Sequence, residues 1–422
     1  MIKTDPGVDL SPTLITTLHP EAETRLHEYL EGVWNLLGDK RRREGFASYA
    51  CGIFGDGERK SVEPIASRAC GDPKKADAMH RKLLRVVGES SWKDRPVREY
   101  ATRYALEQMQ RHGSVRHWIV DDTGFLKQGK HSPGVQRQYT GSAGKTANCQ
   151  IGVSLTLANG HAHLPVDMEL YLPESWADDR ARCRAAKIPD DVSYRPKWRI
   201  GLDMIEAAIA ADLPRGVVLA DADYGNKNAF RDRLDEVGLL YAVAVKKNTC
   251  VRLVRGHGRN RCVGERMSVE ALAFELDPKQ IRKVTWREGT KASLAARFAV
   301  VRVEPVPSRG GPRREQWLII EWPEDSHLPV DYALATLPRH WSRKRIIRTL
   351  KERWRTERAY EDLKGELGLD HFEGRSYSGW NHHVTIVLFC FAFLAAEQAR
   401  AFPPSPVVGG QSRPDNTLHR AA

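Results

Sequence analysis

Two pairs of aspartates stand where predicted strands end, and they are the first residues along the chain that could perform chemistry. Asp121 and Asp122 are the last two residues of the apolar run HWIVDD, and Asp221 and Asp223 lie near the end of VVLADADYG. Carboxylates at the ends of strands in an α/β sheet lie where binding and catalytic sites usually form. Taken singly, each aspartate is more typical of a helix N-cap or a turn.

A third carboxylate, Glu357, lies in a strongly basic segment that is predicted to form one long helix from about Ser342 to Leu367. The surrounding residues, from Leu337 to Lys364, comprise ten Lys or Arg and four Asp or Glu. At about 100° per residue, Arg353, Glu357 and Lys364 share one narrow face of this helix. An exposed helix with ion pairs between successive turns is the alternative, but neighbouring aromatic residues indicate partial burial.

The basic helix carries a resemblance to a known family. LKERWRTERAYEDLKGELGLDHFEGR is similar to the Tyr-x2-Arg-x3-Glu-x6-Lys signature of bacterial insertion-sequence transposases of the DDE superfamily. Arg353, Glu357 and Lys364 match the signature, whereas Leu350 stands at its Tyr position. The runs VDDTGF and VLADADYG also resemble the first and second catalytic strands of the family. The resemblance covers about residues 20–400.

The resemblance implies a catalytic trio of Asp122, Asp221 and Glu357. Asp121 and Asp223 remain the alternatives within each pair of aspartates. Strand alternation alone does not choose between Asp121 and Asp122, because a central strand is buried on both faces. The expectation is therefore that Asp122 and Asp221 are the catalytic members of their pairs.

Such a trio suits metal-dependent phosphodiester chemistry. Two Mg²⁺ ions about 3.5–4 Å apart activate a water or a 3′-hydroxyl and neutralise charge at phosphorus. Hard divalent ions prefer carboxylate oxygens, and Mn²⁺ is expected to substitute for Mg²⁺. The resemblance implies that Arg353 and Lys364 bind phosphates near the scissile bond. Lys246 and Lys247 follow a predicted strand and are candidates for contacts with a DNA backbone, or for a solvated turn.

Composition favours a polyanionic partner. The chain of 422 residues has 66 Lys and Arg against 54 Asp and Glu, which gives a net charge of +12. Its seven cysteines form no C-x-x-C pair, which favours reduced thiols in a cytoplasmic protein over a zinc site or a disulfide framework. The most apolar run, Val384–Ala396, is shorter than the ~20 residues of a membrane span and predicts a buried core helix.

The order of predicted elements indicates an α/β fold. Apolar residues at helical spacing predict helices at Glu21–Leu37, Ala76–Val87 and Val97–His112, with a turn-rich basic stretch at 54–75. Asn159-Gly160 separates two β-rich runs and predicts a hairpin. Strands and helices then alternate as far as residue 249.

Together with the resemblance, this order predicts an RNase H-like mixed sheet flanked by helices. A β-rich insertion precedes the catalytic Glu helix, and a helical domain lies at the N-terminus. The predicted division is a helical DNA-binding domain at 1–112, a catalytic core at 113–249 and 331–400, the insertion at 250–330, and a disordered tail at 401–422.

The resemblance implies a transposase that cleaves the ends of its own element and joins them to target DNA. Its partners would be double-stranded DNA, as terminal inverted repeats and target, and a second copy in a homodimer on the DNA. A metal-dependent nuclease without transposition and a catalytically inactive DNA-binding protein are the alternatives. Trp286, Trp317 and Trp322 of the insertion could stack on bases, although core packing is the better default.

Overall fold

The structure is a computed structural model that describes residues 20–70, 72–256, 258–288, 293–306 and 314–401. The predicted tail at 401–422 lies outside these residues, apart from Ala401. The chain divides into two compact units. The first unit contains the described residues of 1–114, 122–196 and 356–405, and the second contains those of 115–121 and 197–355.

Helices form the N-terminal part of the first unit. They are α1 (Pro20–Glu31), α2 (Trp34–Leu37), α3 (Lys40–Phe54), α4 (Val62–Ala69), α5 (Pro73–Leu84) and α6 (Asp94–Gln110). Asp39 caps α3 by accepting the backbone N–H of Arg42, and Asp72 caps α5 by accepting that of Lys74. Helix α4 lies inside the stretch that the sequence predicts as turn-rich, because a helix of two turns shows too little periodicity to be recognised.

The apolar helix α15 (Tyr377–Ala401) is the core helix of the first unit. Its length and composition would suit a membrane span, but most of its apolar stretch is buried inside the protein. The Tyr29 hydroxyl donates to the carbonyl of Phe389 at 3.0 Å, and Arg25 forms an ion pair with Glu397. The prediction of a buried core helix here is confirmed.

The helices of residues 20–110 belong to the same compact unit as α15. Helices α3 and α6 both pack against α15. A few short amphipathic helices present apolar faces that must be covered by another element. Helix α15 supplies that cover, although nearly 270 residues separate it from the end of α6.

A long antiparallel hairpin lies in the same unit. It consists of β3 (Lys145–Ala158) and β4 (His163–Leu170), and Asn159 forms its turn. The Asn159 side chain accepts two backbone N–H groups of the turn and donates to two carbonyls at the end of α6, at distances of 2.8 to 3.0 Å. This confirms the predicted hairpin. The unit also contains β2 (Gln136–Thr140), α7 (Glu174–Ala177) and α8 (Arg180–Ala185).

The second unit alternates strands and helices and then continues in antiparallel strands. Its first part contains α9 (Lys197–Ala210), β5 (Val217–Ala220), α10 (Ala222–Gly225), α11 (Asn228–Glu236) and β6 (Tyr241–Val245). The predicted insertion contains β7 (Cys250–Arg255), β8 (Cys262–Ser268), α12 (Val269–Glu275), β9 (Arg282–Glu288), β10 (Ser293–Pro305) and β11 (Gln316–Trp322). Strand β12 (Asp331–Ala335) and helix α13 (Arg343–Lys351) follow.

Strand β1 (His117–Leu126) is the middle strand of the five in the order β4-β3-β1-β5-β6. It lies between β3 and β5, and it runs parallel to β5, which runs parallel to β6. Strand β12 pairs antiparallel with β6 and connects the insertion strands to the sheet. The order β4-β3-β1-β5-β6, with an antiparallel hairpin beside parallel strands, confirms the predicted RNase H-like α/β fold.

Because His383 of α15 is buried, we expect the free energy of unfolding to decrease at acid pH. Its Nδ1 lies 2.9 Å from the Tyr49 hydroxyl, and its Nε2 lies 3.1 Å from the carbonyl of Gly368. Burial lowers the pKa of His383 from 6.5 to about 4. Between pH 6.5 and about pH 4, the imidazole of His383 is protonated in the unfolded chain but stays neutral in the folded chain. The free energy of unfolding should therefore decrease by about 1.4 kcal/mol per pH unit as pH falls through this window.

Urea unfolding at pH 7 and pH 5 measures this effect. The His383→Gln variant should lose less stability between the two pH values than the wild type. His27→Gln, at an exposed position of α1, is the matched control and should behave as the wild type does. An unchanged pH dependence in His383→Gln would show that this histidine does not control acid stability.

Candidate active site

The basic helix that carries the family signature is broken, which corrects the prediction of one long helix. Helix α13 ends at Lys351, a turn follows at Glu352 and Arg353, and α14 (Trp354–Gly365) begins directly afterwards. Arg353 therefore lies outside the regular helix that contains Glu357, and ideal helical spacing does not fix its direction. Glu357 and Lys364 both lie within α14, two turns apart, so they share one face.

Arg353 contacts the first pair of aspartates. Its Nη1 donates to Oδ2 of Asp121 at 2.6 Å. The Asp121 side chain is only 11% exposed, and that of Arg353 is 34% exposed. The two residues are 232 positions apart, so no local pattern in the sequence predicts this ion pair. A buried carboxylate requires a compensating cation, and Arg353 supplies it.

Asp122, the member of the pair favoured by the resemblance, is half-buried in the first unit. Its charge is felt by Tyr171, which follows β4. Burial raises the pKa of Tyr171 to about 12, with smaller contributions from Tyr194 and, last, from Asp122. Asp121, by contrast, contacts an arginine of the signature.

The second pair of aspartates follows β5. Asp221 caps the short helix α10, because its Oδ1 accepts the backbone N–H groups of Asp223 and Tyr224 at 2.9 and 3.4 Å. Asp223 is exposed and forms an ion pair with Lys246 at 3.4 Å. Lys247 pairs with Glu270 at 3.1 Å. Both lysines are exposed in weak surface pairs, and both stay candidates for a DNA contact.

Helix α14 holds Glu357 on its exposed side. The helix packs on β3 through a contact of 2.5 Å between the hydroxyls of Tyr360 and Ser154, and one of 3.3 Å between Thr356 and Thr156. Glu357, next to Thr356 in sequence, is exposed. Packing of one helix face thus fixes the position of a carboxylate on the adjoining face.

Lys364 forms hydrogen bonds with other residues of the protein. Its ammonium donates to the Thr123 hydroxyl and the Gly124 carbonyl, both at 2.8 Å, and to the Ser142 hydroxyl at 3.0 Å. Burial lowers its pKa. The residues Thr123 and Ser142 are partners that sequence reasoning missed, and no signal in the sequence marks Ser142. Lys364 therefore attaches α14 to the end of β1, close to the aspartate pair in sequence.

The three tryptophans of the insertion contact other residues of the protein, in agreement with the prediction of core packing. Trp322 is buried, and Trp317 donates from its indole to the carbonyl of Leu337 at 2.9 Å. Trp286 packs edge-on against Phe298 with ring centroids 5.6 Å apart. These contacts explain their presence without base stacking.

The donor atoms of the predicted trio suit a hard divalent metal, because carboxylate oxygens are its preferred ligands. Within the ranges described here, no three His, Cys, Asp or Glu side chains converge as metal ligands. In the second unit, the Arg353 guanidinium neutralises the Asp121 carboxylate.

The fold is that of RNase H-like α/β proteins. Comparison with known families agrees, since residues 33–293 match the model of the DDE superfamily endonucleases. The chain therefore belongs to the DDE superfamily endonuclease family, whose members are metal-dependent nucleases. Both aspartate pairs lie within the matched residues, whereas Glu357 lies beyond them.

One relative is a probable transposase for insertion sequence element IS701 from Microchaete diplosiphon. It is 28% identical over 228 residues, which is 54% of this chain and 55% of the relative. The match thus spans about half the length of each protein. It agrees with the resemblance carried by the signature residues Arg353, Glu357 and Lys364.

Proposed function

We propose that this protein is a transposase that cleaves phosphodiester bonds at the ends of its own element and joins them to target DNA. The observation that carries the proposal is the position of the acidic residues. An aspartate pair lies on strand β1, and Asp221 directly follows the neighbouring parallel strand β5. α/β folds commonly place their sites at the carboxyl ends of parallel strands, and the aspartate pair lies on β1 beside the carboxyl end of β5, in a chain of the DDE endonuclease family.

In this proposal, Asp122, Asp221 and Glu357 would hold two Mg²⁺ ions, with Asp121 as the alternative on β1. Ions held there would supply activation of the attacking hydroxyl and neutralisation of charge at the phosphorus. Asp221 is held in place by two backbone N–H groups, and Glu357 by the packing of α14. Arg353, partly exposed and cationic, is suited to contact a phosphate beside the scissile bond.

Double-stranded DNA is the proposed partner, bound as terminal inverted repeats and as target. The net charge of +12 supports a polyanion. Lys246 and Lys247 contribute exposed ammonium groups beyond β6, and the N-terminal helices carry further exposed basic residues, which are Lys40, Arg41, Lys74, Lys75, Arg81 and Arg85. A homodimer on the DNA would bring two element ends together, and the protein would act in the cytoplasm on the bacterial chromosome.

Metal dependence is the first test of this function. We expect DNA cleavage with Mg²⁺ or Mn²⁺ and none in EDTA, because three carboxylates without a metal do not activate water. Ca²⁺ should support DNA binding but not cleavage, since it is larger and tolerates irregular coordination. The measurement is nicking of a supercoiled plasmid that contains the DNA on both sides of the reading frame. Cleavage at full rate in EDTA would refute a carboxylate–metal mechanism.

The same assay separates the alternatives. A transposase should cut at the borders of the element and yield joined products. A nuclease without transposition would cut with no preference for those borders. An inactive DNA-binding protein would retard the plasmid in a gel without cutting it under any metal.

A further inference from the structure

One stretch of the first unit contains cations and no carboxylate side chains. Residues 123–166 include no Asp or Glu, whereas the chain as a whole has 54 of them among 422 residues. The same stretch contains four cations, which are Lys127, Lys130, Arg137 and Lys145. A segment of this composition presents no group that would repel a polyanion.

Two of these cations lie on a two-stranded ribbon, residues 136–148, which consists of β2 and the beginning of β3. Arg137 pairs with Asn148, and Thr140 pairs with Lys145, in the antiparallel register of the two strands. Strand β2 is the outermost strand at one end of the described order. The first four residues of β3 are exposed or half-buried, unlike the rest of that strand. The β2–β3 ribbon thus lies outside the buried core of the unit.

An uncovered aromatic ring accompanies the cations of the ribbon. Tyr139 is 68% exposed and shares one face of β2 with the exposed Arg137, since alternate residues of a strand project to the same side. Lys145 is also exposed. Among the residues that the structure describes, these three side chains have no hydrogen-bond or ion-pair partner. Exposed cations are common on protein surfaces, but a phenol beside two unpaired cations forms a surface suited to phosphate oxygens.

The ribbon is fixed to two elements that carry predicted catalytic carboxylates. In the turn between β2 and β3, the Ser142 hydroxyl accepts from the Lys364 ammonium of α14 at 3.0 Å and donates to the Gly124 carbonyl of β1 at 3.2 Å. A Cβ atom at Gly124 would lie 1.9 Å from the Thr140 hydroxyl oxygen, so β1 and the ribbon meet where only glycine fits. DNA bound on the ribbon would therefore lie beside the end of β1 and beside α14.

The polar groups that remain available on the ribbon suit phosphates more than bases. Asparagine and glutamine read adenine through their side-chain amides. Here, the Asn148 amide donates to two backbone carbonyls of the neighbouring loop, at 2.7 and 3.0 Å. The Gln138 amide donates to the Cys149 carbonyl at 3.0 Å. Contacts to phosphates position a protein on DNA without reading its sequence, so we expect the ribbon to bind duplex DNA of any sequence.

We propose that the β2–β3 ribbon holds target DNA, with Arg137 and Lys145 paired to phosphates and the Tyr139 hydroxyl donating to a phosphate oxygen. The inference rests on the proposed function, since only a protein that joins DNA has a target. Target DNA must be held through groups common to every duplex, whereas an element end is distinguished by its bases. The anchoring of the ribbon places that duplex beside the strand and the helix that bear carboxylates.

A second copy of the chain is the other occupant that an outermost strand could accept. Pairing of β2 with β2 of another copy would bring together the cations of two ribbons that contain no acidic residue. Exposed charge on an edge strand opposes such pairing. Charge complementarity therefore favours DNA as the occupant.

Binding of a short duplex of unrelated sequence, followed by fluorescence anisotropy over a series of salt concentrations, tests the surface. Arg137→Gln/Lys145→Gln should reduce the log–log slope of affinity against salt by about 1.8, because each phosphate contact contributes about 0.9. Tyr139→Phe should weaken binding about three- to tenfold with an unchanged slope, since it removes a hydrogen bond but no charge. All three side chains are exposed, so the variants should fold.

The matched control is Arg95→Gln/Arg111→Gln, which removes two exposed cations of α6 in the same unit. Both already pair with glutamates one turn away, at 3.4 and 3.5 Å, so this variant should bind the duplex as the wild type does. An equal loss in the control, or an unchanged slope in the ribbon variant, would overturn the inference. Weaker binding confined to DNA from either side of the reading frame would overturn the assignment to target DNA. A ribbon variant that loses a dimer in sedimentation but keeps its affinity for DNA would assign the surface to a second copy instead.

A joining assay separates failure of this inference from failure of the proposed function. With labelled element ends and an unrelated plasmid, the ratio of joined products to broken ends should fall at least about tenfold in Arg137→Gln/Lys145→Gln, because the target is held less tightly. A wild-type protein that joins DNA, with the same ratio in this variant, would overturn the inference alone. A wild-type protein that binds the duplex through Arg137 and Lys145 but never cuts DNA would overturn the proposed function and leave the ribbon as a DNA-binding surface.

Discussion

Replacing Asp221 by Asn or Glu357 by Gln is expected to abolish DNA cleavage, with a loss of about a thousandfold or more. A metal contributes several kcal/mol of transition-state stabilisation, and each 1.36 kcal/mol is worth a factor of ten in rate. The amides keep the shape of the side chains but remove the charge that holds a divalent ion. DNA binding, measured by gel retardation, should persist because it depends on basic side chains that pair with phosphates.

Two matched controls accompany these variants. Asp223→Asn changes an exposed aspartate that pairs with Lys246, two residues after Asp221. Glu361→Gln changes an exposed glutamate one turn after Glu357, which pairs with Arg358. Both should cut at close to the wild-type rate. Near-normal cleavage by Asp221→Asn or Glu357→Gln would remove that residue from the site, and a severe defect in Asp223→Asn would transfer its role to the neighbour.

Replacing Arg98 by Met is expected to have the largest effect on stability, lowering the free energy of unfolding by about 3–5 kcal/mol. Arg98 of α6 is buried and donates to Asp167 at 2.6 Å, to the Met168 carbonyl at 2.9 Å and to the Thr385 hydroxyl at 2.8 Å. It also pairs with Asp94 at 3.1 Å. Methionine preserves much of the side-chain volume but leaves these acceptors without their donor. Urea unfolding gives the free energy directly.

Arg95→Met on the same helix is the control for this variant. Arg95 is exposed and forms only a surface pair with Glu99 at 3.4 Å, so its loss should change stability by less than about 1 kcal/mol. Equal effects of the two substitutions would show that the buried network joining α6, β4 and α15 does not contribute as described.

The sequence predicted those elements that are stabilised by contacts between residues close together in the chain. Asn159 fits its turn because its side chain bonds backbone groups on both sides of it, and the hairpin was predicted from that residue type. The alternation of strands and helices from β1 to β6 follows from short apolar runs separated by amphipathic segments. These features predicted the α/β order of elements, and the family resemblance added the RNase H-like form.

Long-range contacts account for what the sequence could not show. Nothing in the composition of residues 342–367 marks a break, since the turn at Glu352 and Arg353 contains neither Gly nor Pro. Ion pairs with distant residues flank it: Lys351 pairs with Glu321 at 2.5 Å, and Arg353 pairs with Asp121. Tertiary contacts can thus override a continuous helical pattern.

The aspartate pair of β1 shows the same limit. Both Asp121 and Asp122 fit a strand that is buried on its two faces, so their order in the sequence is not informative. The structure distinguishes them by their contacts, since Asp121 accepts a hydrogen bond from Arg353, which is 232 positions away in the sequence. Similarly, the apolar faces of the N-terminal helices did not indicate that α15 would cover them.

The proposed function is cleavage and joining of DNA at the ends of the protein's own element. The most direct measurement is incubation of the purified protein and Mg²⁺ with end-labelled DNA from either side of the reading frame, with a plasmid as target. A transposase should produce breaks at one position on each side and joined products in the plasmid, and the Asp221→Asn variant should produce neither. Breaks scattered through unrelated DNA, or products that persist with Asp221→Asn, would contradict it.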